Sequence, residues 1–370
     1  MKTYEIDKQV DIKRLIKGCS DTESFDCDFH NDDGNAFIED NHYQCKCCGI
    51  KLTPSQYISQ TMGISRNESL ASLYRIKGES IPPWLIEGIR PNLDGFKLHK
   101  RLLDIFKKEL HSNKEMSNKC LNYIVNQRKL SKETTDHFNL GFFPKGKDFV
   151  DKLIDEFGEE LLQRYGILTE GRFGLYSNFN NRLMFPIHNK LDQVCGFGSR
   201  TLDKDVKPKY INSMASDIFS KSELLYTDRK QKKERGIVTE GYMDVISCSA
   251  SCDDFSYYAS LGTALNSLQL RDMLKRHEHV TICTDGDDAG QNSIYRFIKT
   301  QLSNVEQERV SFVKIPLGMD PDEFIQANGS AAFVELIGES LPAKAFIKES
   351  FPNADELLIN ERFDQFNLAP

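Results

Sequence analysis

Short apolar runs alternate with amphipathic stretches from residue 236 onwards. Four of the runs have the length and β-branched content of buried strands: GIVTEG, FSYYASLGT, HVTICTDGD and RVSFVKIP. Helical spacing is found in the segments between them, YMDVISCSASC, NSLQLRDMLKRH and AGQNSIYRFIKTQLS. Strands that alternate with helices are typical of a parallel sheet with helical crossovers. The pattern therefore predicts an α/β domain over residues 236–328.

The first 235 residues have a more mixed pattern. TPSQYISQTMG and SRNESLASLYRI predict helices, and NRLMFPIHNKLDQVCGFGSRTL alternates like paired strands around an Asn-Lys turn. Prolines and glycines in KGESIPPWLIEGIRPNLDG predict a connector or an irregular packing segment. The fold class expected is α/β in the sheet domain and α+β overall. The boundaries predicted are an N-terminal module at 1–75, a connector at 76–115, a mixed subdomain at 116–235, the sheet domain at 236–328 and a short helical segment at 329–370.

Composition is that of an ordinary globular protein. The 370 residues are 39% hydrophobic and 28% charged, which allows roughly two or three domains. No apolar run approaches the roughly 20 residues that a membrane-spanning helix needs, and the N-terminus MKTYEIDKQVDIKRLIK is too charged for a signal peptide. The ten cysteines are therefore expected as free thiols or metal ligands in a reducing, cytoplasmic setting.

Charge is distributed unevenly along the chain. A net charge of −7 argues weakly against nucleic-acid binding as a bulk property. Between Lys97 and Lys132, however, ten lysines and arginines face three acidic residues, a local balance of +7. A second basic run is DRKQKKERG. Taken alone, each run is more typical of a solvated helix surface than of a binding site.

Two pairs of metal-ligating residues lie near the N-terminus. Cys27 and His30 are two residues apart, and so are Cys45 and Cys48, with fourteen residues between the pairs. Each pair can straddle a tight turn, and two such turns can close a tetrahedral zinc site. The segment NAFIEDNHYQC between them alternates as a hairpin does. The spacing predicts one zinc ion with a structural role, because four protein ligands leave no open position.

Other residues of this segment fit a zinc site less well. Cys47 lies between two predicted ligands and is expected to point away, and the spacing of His42 to Cys45 is less suitable. The alternative to a zinc site is a set of unconnected buried thiols.

Three carboxylates follow the third predicted strand, in the sequence TICTDGDDAG. Asp285, Asp287 and Asp288 lie there among glycines. Like charges at close range repel one another, and burying them is costly. A solvated Asp-Gly turn is the ordinary explanation of such a segment. The alternative is a site for a hard divalent cation, which prefers oxygen ligands.

The position of the other acids favours the cation site. Glu240 ends the first predicted strand, and Asp320 and Asp322 follow the fourth. Functional sites of parallel sheets lie beyond the carboxyl ends of the strands. Acids from three strands can thus gather at one edge of the sheet, where they are expected to hold Mg²⁺ or Mn²⁺.

Several motifs occur in an order that is specific in combination. EGYMDV, ASLGT, DGDDAG and DPDEF resemble the TOPRIM domain of bacterial and bacteriophage DnaG-type DNA primases. CDFH…CKCCG resembles the zinc-binding domain of that family. Four further segments resemble the basic amino-terminal subdomain of that family: RKLSKETTDHFNLGFFP, RLMFPIHNK, GFGSRTL and KPKYINS…DIFSKSELLY. The resemblance covers residues 25–60 and 118–340.

The resemblance implies roles for individual residues. The core metal and catalytic site would consist of Glu240, Asp285 and Asp287, and the acidic cluster would be completed by Asp244, Asp320 and Asp322. The groove for template and nucleotide would be lined by Arg128, Arg200, Lys209, Tyr210 and Asn212. A lysine beside a metal site also suits a triphosphate or a backbone phosphate on chemical grounds.

The implied activity is synthesis of short RNA primers for DNA replication. The substrates would be ribonucleoside triphosphates on a single-stranded DNA template, and two or more Mg²⁺ or Mn²⁺ ions would activate the 3′-hydroxyl and neutralise the leaving pyrophosphate. The zinc module would hold the template. A replicative helicase and other replisome proteins are the expected partners.

The chain departs from the family pattern in three places. The span between the zinc ligands is somewhat short, the connector around IPPWLIEG has no counterpart, and the part after about residue 330 is shorter. We therefore expect a compact, phage-type or otherwise standalone primase, cytoplasmic in its bacterial host if phage-encoded. Two alternatives are another TOPRIM enzyme, such as a nuclease or a topoisomerase-like strand cutter, and a non-catalytic zinc-containing DNA-binding accessory.

Overall fold

The computed structural model describes eight stretches of the chain: 5–16, 24–29, 35–62, 64–172, 174–229, 233–262, 264–302 and 308–350. It divides into two compact units. The first comprises Met1–Lys100 and His188–Cys195, and the second Arg101–Ile187 and Gly196–Pro370. Among the helices of the stretches described, none combines the length and the apolar character that a membrane crossing needs.

The first unit contains a small antiparallel sheet and several helices. The sheet has the order β1-β2-β3, formed by Ala36–Glu39, His42–Cys45 and Lys51–Leu52. Its helices are α1 (Glu5–Gln9), a 3₁₀ turn (Ile12–Leu15), α2 (Pro54–Met62) and α3 (Arg66–Lys77). Ala36 pairs with Cys45 in register, and Asp40 and Asn41 adopt positive φ at the turn. The hairpin predicted between the two ligand pairs is thereby confirmed.

Side-chain caps and two apolar clusters hold these elements together. Asp7 is buried and accepts hydrogen bonds from the backbone N–H and the hydroxyl of Ser55, at 2.6 and 2.8 Å, in the first turn of α2. Ser65 and Glu68 form a capping box that starts α3. One cluster packs around Tyr43 and Tyr57, and a second lies between the helices.

Helix α4 (Pro83–Leu110) occupies most of the predicted connector. The expectation of an irregular segment here was wrong. A proline is compatible with the first position of a helix, because its missing N–H has no partner there anyway. The 28 residues of the helix carry apolar positions at helical spacing, such as Leu98, Leu102 and Phe106, which are buried.

The second unit begins with a mixed subdomain. Its helices are α5 (Glu115–Asn122), a π-helical turn (Tyr123–Gln127), α6 (Lys132–His137), α7 (Lys147–Phe157) and α8 (Glu159–Arg164). Its strands are β4 (Gly141–Phe143), β5 (Thr169–Gly171), β6 (Gly174–Tyr176), β7 (Arg182–His188), β8 (Val194–Thr201) and β9 (Tyr210–Asn212). They form a sheet in the order β4-β7-β8-β9 and a separate β5–β6 hairpin. The paired strands predicted around Asn189 are present, but β7 and β8 are buried on both faces and so do not alternate.

The rest of the second unit is the predicted parallel sheet with its crossovers. Its elements are β10 (Tyr226–Thr227), β11 (Arg235–Thr239), α9 (Tyr242–Ser251), β12 (Ser256–Ala259), α10 (Ser267–Leu274), β13 (His279–Thr284), α11 (Asp288–Thr300), β14 (Val310–Lys314), α12 (Pro321–Gly338), β15 (Leu341–Pro342) and α13 (Ala343–Ser350). The strand order is β10-β12-β11-β13-β14-β15. The four central strands are parallel, and the two short edge strands, which the sequence pattern did not reveal, are antiparallel.

The core of this sheet explains why the last helices belong to it. Phe346 and Ile347 of α13 are buried in the same apolar cluster as Phe312 and Ile282 of the central strands. Helix α12 is interrupted at Gly329, whose φ is 86°. The sheet order brings the carboxyl ends of β11, β13 and β14 side by side, which is where the predicted acids lie.

Candidate functional site

The predicted acids gather along one edge of the parallel sheet, called here the acidic edge and comprising Glu240, Asp244, Asp285, Asp287, Asp320 and Asp322. Glu240 directly follows β11 and Asp285 directly follows β13. Their carboxylates come from strands that are neighbours in the sheet. The backbone N–H of Asp285 donates a hydrogen bond to Glu240 Oε1 at 3.2 Å. Burial raises the pKa of Glu240, and the charge of Asp287 adds to that effect.

Asp285 is also electrostatically unfavourable as an ionised group. Burial and the charges of Glu240 and Asp320 raise its pKa to about 7. Its Oδ1 atom is buried and makes no hydrogen bond to any residue that the structure describes. A buried, unpartnered carboxylate oxygen among other carboxylates is the arrangement that a divalent cation relieves.

Three acids of the edge also start helices. Asp287 accepts from the Gly290 N–H at 2.8 Å at the start of α11, and Asp320 accepts from the Glu323 N–H at 2.7 Å at the start of α12. Asp244, in the first turn of α9, accepts from the Gly241 N–H at 2.9 Å. Each side chain is therefore held in place by backbone geometry as well as by its neighbours.

Burial also affects the other acids. It raises the pKa of Asp244 well above its usual range, with the charges of Asp320 and Asp285 acting in the same direction. Burial raises the pKa of Asp320 as well, against the hydrogen bond from the Glu323 amide. The acidic edge is thus a site where negative charge is crowded and only partly compensated by the protein.

Asp322 differs from the other acids because it has a full set of protein partners. It is 2% exposed. Its Oδ2 lies 2.6 Å from Arg128 Nη1, and its Oδ1 accepts from Gln326 Nε2 at 2.7 Å. A metal-ligand role for Asp322 stays a prediction.

Two glycines permit the close approach of the loops at this edge. A Cβ atom at Gly286 would lie 2.2 Å from the Pro316 carbonyl oxygen. One at Gly290 would lie 2.4 Å from the Asp285 carbonyl oxygen and 2.9 Å from Glu240 Oε1. The glycines of DGDDAG are therefore needed for close packing beside the acids. A solvated Asp-Gly turn would not require such packing.

A cluster of cations and tyrosines lies next to the acidic edge. Arg128 Nε donates to the Tyr123 hydroxyl at 2.8 Å, and Arg200 Nη1 donates to the Tyr210 hydroxyl at 2.5 Å. The Arg200 guanidinium carbon lies 4.7 Å from the centre of the Tyr123 ring and 5.3 Å from that of Tyr210. Burial lowers the pKa of Lys209, and the neighbouring Arg200 and Arg128 lower it further. We call Arg128, Arg200 and Lys209 the cation cluster.

An open cavity of about 930 Å³ adjoins the cation cluster. Tyr123, Arg200 and Lys209 line it. Five basic side chains face it, against the two acids Glu115 and Asp203, and the basic ones are Lys119, Arg200, Lys204, Lys207 and Lys209. A cavity of this size and charge suits a phosphate-bearing ligand.

Asn212 has a structural position that the sequence did not suggest. Its Oδ1 accepts from the Tyr242 hydroxyl, and its Nδ2 donates to the Leu261 carbonyl at 2.8 Å. The side chain therefore ties β9 to the parallel sheet. A template or nucleotide contact by Asn212 stays a prediction.

The predicted zinc ligands form a separate cluster in the first unit. The sulfur atoms of Cys27, Cys45 and Cys48 all lie within 4.8 Å of one another. Among the residues that the structure describes, this is the sole group of three or more ligating side chains that is so compact. His30 lies outside the described residues. Three converging thiols fit a soft metal such as zinc.

The remaining candidates near this cluster lie apart from it. Cys47 is exposed and is not part of the compact thiol group. His42 is not part of the compact group, and its Nδ1 lies 2.8 Å from the Asp40 carbonyl oxygen. Within the cluster itself, partial desolvation and the neighbouring thiols of Cys27 and Cys45 raise the pKa of Cys48.

Sequence reasoning missed the tyrosines that organise the site. Tyr123 lies between Arg128 and Arg200, and Tyr242 packs flat against Phe185 with ring centres 4.9 Å apart. The sequence offered one indication of Tyr123, which is an aromatic residue five positions before Arg128, a residue predicted to line the groove. Its π-helical turn is a feature that often marks functional sites.

Two family models match the second unit. One describes the N-terminal domain of the DNA primase catalytic core and matches residues 105–232. The other describes Toprim-like domains and matches residues 237–325. The matched regions contain the cation cluster and the acidic edge respectively.

Known primases are similar over most of the chain. The DNA primase of Legionella pneumophila is 29% identical over 329 residues, which cover 86% of this chain and 56% of that protein. That of Rickettsia typhi is 32% identical over 340 residues, which cover 87% of this chain and 55% of that protein. The chain thus spans just over half the length of these relatives.

A solved structure supports the same assignment. A DnaG primase catalytic domain bound to single-stranded DNA has a TM-score of 0.63 and 30% identity, with 72% of this chain and 87% of that chain covered. The positions of the acidic edge, the match to both parts of the primase core and this structural likeness together show that the chain belongs to the DnaG-type DNA primase family.

Proposed function

We propose that the protein is a DNA primase, which synthesises short RNA primers from ribonucleoside triphosphates on a single-stranded DNA template. One observation carries the proposal: the 2.6 Å ion pair between Arg128 and Asp322 joins the cation cluster to the acidic edge within one compact unit. Nucleotidyl transfer needs these two kinds of site side by side, because the triphosphate is an anion and its leaving group must be neutralised.

The acidic edge fits divalent cations, whose use the family implies. Glu240, Asp285 and Asp287 would hold them, with Asp244 and Asp320 nearby, and the unpartnered Oδ1 of Asp285 supports this assignment. Bound Mg²⁺ or Mn²⁺ would lower the pKa of the attacking 3′-hydroxyl and neutralise charge on the pyrophosphate. Cys27, Cys45 and Cys48, with His30, would hold one structural zinc ion in the first unit.

The cation cluster would bind and orient the anionic substrates. Arg200 offers an Nε–H that is buried and unpartnered among the described residues, and Lys209 presents its ammonium group at the cavity. Two guanidinium groups and an ammonium can bind a triphosphate at several oxygens at once. The remaining basic side chains around the cavity, Lys119, Lys204 and Lys207, would hold the backbone of the template.

Primer synthesis by the chain tests this proposal directly. The protein is incubated with single-stranded DNA, Mg²⁺ and labelled ribonucleotides, and the products are resolved by size. Short RNA that depends on the template is expected. Cut DNA would indicate a nuclease or a topoisomerase-like enzyme instead, and the absence of both products would indicate a non-catalytic DNA-binding protein.

The proposed function also implies where the protein acts in the cell and with which partners. A primase acts where DNA is replicated, so we place the protein in the cytoplasm together with a replicative helicase and other replisome proteins. Co-purification with the replicative helicase of the source organism would test the partner.

A further inference from the structure

Tyr123 connects the two arginines of the cation cluster. Its hydroxyl accepts from Arg128 Nε at 2.8 Å, and the Arg200 guanidinium carbon lies 4.7 Å from its ring centre. The side chain is 6% exposed, so its position is fixed by packing. Tyr123 thus contacts one arginine through its polar end and the other through its ring.

The two arginines are satisfied to different extents. Arg128 uses Nε for Tyr123 and Nη1 for Asp322, which leaves Nη2 without a partner among the described residues. Arg200 uses Nη1 for Tyr210, while its buried Nε has no partner in the same part of the chain. The structure describes a carboxylate partner for Arg128 and none for Arg200. The pair therefore retains positive charge and N–H donors that an anion would satisfy.

The open space beside Arg200 is suitable for such an anion. Tyr123, Arg200 and Lys209 all line the cavity of about 930 Å³. A ring beneath a guanidinium group stabilises the charge while the in-plane N–H groups stay available to a ligand. Burial raises the pKa of the Tyr123 hydroxyl, which therefore remains neutral and can accept from Arg128.

We propose that Tyr123 is a positioning residue, which presets Arg128 and Arg200 as a pair for the triphosphate of the incoming ribonucleotide. This inference rests on the proposed function, since it names the substrate group that the cation cluster receives. The hydroxyl fixes Arg128 beside the acidic edge, and the ring fixes Arg200 at the cavity.

A conservative substitution separates this role from ordinary packing. Tyr123→Phe keeps the ring and its burial but removes the acceptor for Arg128. Loss of one hydrogen bond to a charged group should raise the KM for ribonucleotides about tenfold, with a smaller change in kcat. Tyr226→Phe is the matched control, because the Tyr226 hydroxyl is buried and has no hydrogen-bond partner among the described residues.

A double-mutant cycle tests whether Tyr123 acts through Arg128. Tyr123→Phe should cost little more when Arg128 is already alanine, because the hydroxyl then has no guanidinium to hold. Tyr123→Leu also removes the ring under Arg200 and should raise the KM further than Tyr123→Phe does. An unchanged KM in Tyr123→Phe, or full additivity with Arg128→Ala, would overturn the inference.

A binding measurement distinguishes failure of this inference from failure of the proposed function. The dissociation constant of a non-hydrolysable GTP analogue is measured for the wild type and for the same variants. If the wild type binds the analogue but makes no RNA, the proposed function fails, and the variants still support or overturn the role of Tyr123 through their affinities. If the wild type neither makes RNA nor binds the analogue, both are overturned.

Discussion

Burial and counter-charge decide how each carboxylate of the acidic edge behaves. Asp285 and Asp244 have raised pKa values because burial and neighbouring acids oppose their ionisation. Asp322 is also buried, yet Arg128 and Gln326 occupy its oxygens. The edge therefore contains acids that need a cation and one that already has a cationic partner.

Asp285→Asn should stabilise the metal-free protein, most clearly at neutral pH and above. The pKa of Asp285 is about 7 in the folded protein, whereas an exposed aspartate has a pKa of roughly 4. The unfolded chain therefore ionises Asp285 more readily than the folded protein does. As a result, the stability contributed by Asp285 is fully present below the unfolded pKa and is lost as the pH rises through the folded pKa. The melting temperature of the variant should thus exceed that of the wild type increasingly between these limits.

The measurement is thermal unfolding in a chelator from pH 5 to 8. Asp288→Asn is the control, because Asp288 is an exposed acid of the same segment. Asp285→Asn should also reduce primer synthesis at least about 100-fold, as loss of a charge-stabilising group commonly does. Wild-type primer synthesis in this variant would contradict the metal assignment.

The sequence predicted the acids better than their partners. Glu240, Asp285 and Asp320 could be located because each follows a strand of a predictable parallel sheet. The partner of Asp322 could not, since Arg128 is 194 residues away and nothing local links the two. Contacts of this kind depend on tertiary packing and leave no trace in periodicity.

The acidic edge depends on loops that approach each other closely between strand and helix. The loop from β13 to α11 passes beside the carbonyl groups that follow β14, and Gly286 and Gly290 leave room for that passage. Element order and type were predictable here because strands and helices alternate with clear periods. The antiparallel edge strands β10 and β15 were not, because two residues are too few to show a period.

Gly290→Ala should impair both stability and catalysis. The new methyl group would collide with the Asp285 carbonyl and with Glu240 Oε1, and overpacking of this kind costs about 1–3 kcal/mol. The acids would move apart, so primer synthesis should fall more than stability alone explains. Unfolding in denaturant and primer synthesis are the measurements.

The matched control is Gly338→Ala at the end of α12. No atom lies within 4 Å of a Cβ placed there, and alanine in a helix is favoured over glycine by up to about 1 kcal/mol. This variant should be neutral or slightly more stable. Equal behaviour of the two alanine variants would show that space at Gly290 is not what the site requires.

At the scale of the molecule, an acidic protein concentrates its positive charge at one cavity. The net charge is −7, yet five basic side chains face the cavity beside the cation cluster. Nucleic-acid affinity should therefore depend on a few contacts that salt weakens strongly. The sequence showed which segments of the chain are rich in lysine and arginine. It did not show which of these side chains face the cavity.

Lys207→Ala should weaken binding of single-stranded DNA and make it less sensitive to salt, because Lys207 is an exposed residue that lines the cavity. Each phosphate contact contributes roughly 0.7 to the log–log slope of affinity against salt for a single strand, so the slope should fall by about that amount. Lys348→Ala is the control, since Lys348 is an exposed residue of α13. Fluorescence anisotropy over a salt series measures both values. An unchanged slope in Lys207→Ala would remove Lys207 from the DNA interface.

Cys45→Ser should release zinc and destabilise the first unit. The sulfur of Cys45 lies in the compact thiol group, and a structural zinc ion contributes directly to folding free energy. Metal analysis should find about one zinc per chain in the wild type and far less in the variant. Trp84, the sole tryptophan, lies in the first unit, so its fluorescence follows unfolding of that unit. Cys47→Ser should retain zinc, and equal zinc content in both variants would contradict the ligand set.

Tyr242, whose hydroxyl donates to Asn212, also packs against Gly198 of β8, and this packing has a consequence for exchanging parts between relatives. A Cβ atom at position 198 would lie 2.3 Å from Tyr242 Cζ, and the two positions belong to the two separately matched family regions. A chimaera that takes these regions from different parents therefore inherits a steric constraint across its junction. Both positions must come from the same parent, or the loss of glycine at 198 must be accompanied by a smaller side chain at 242.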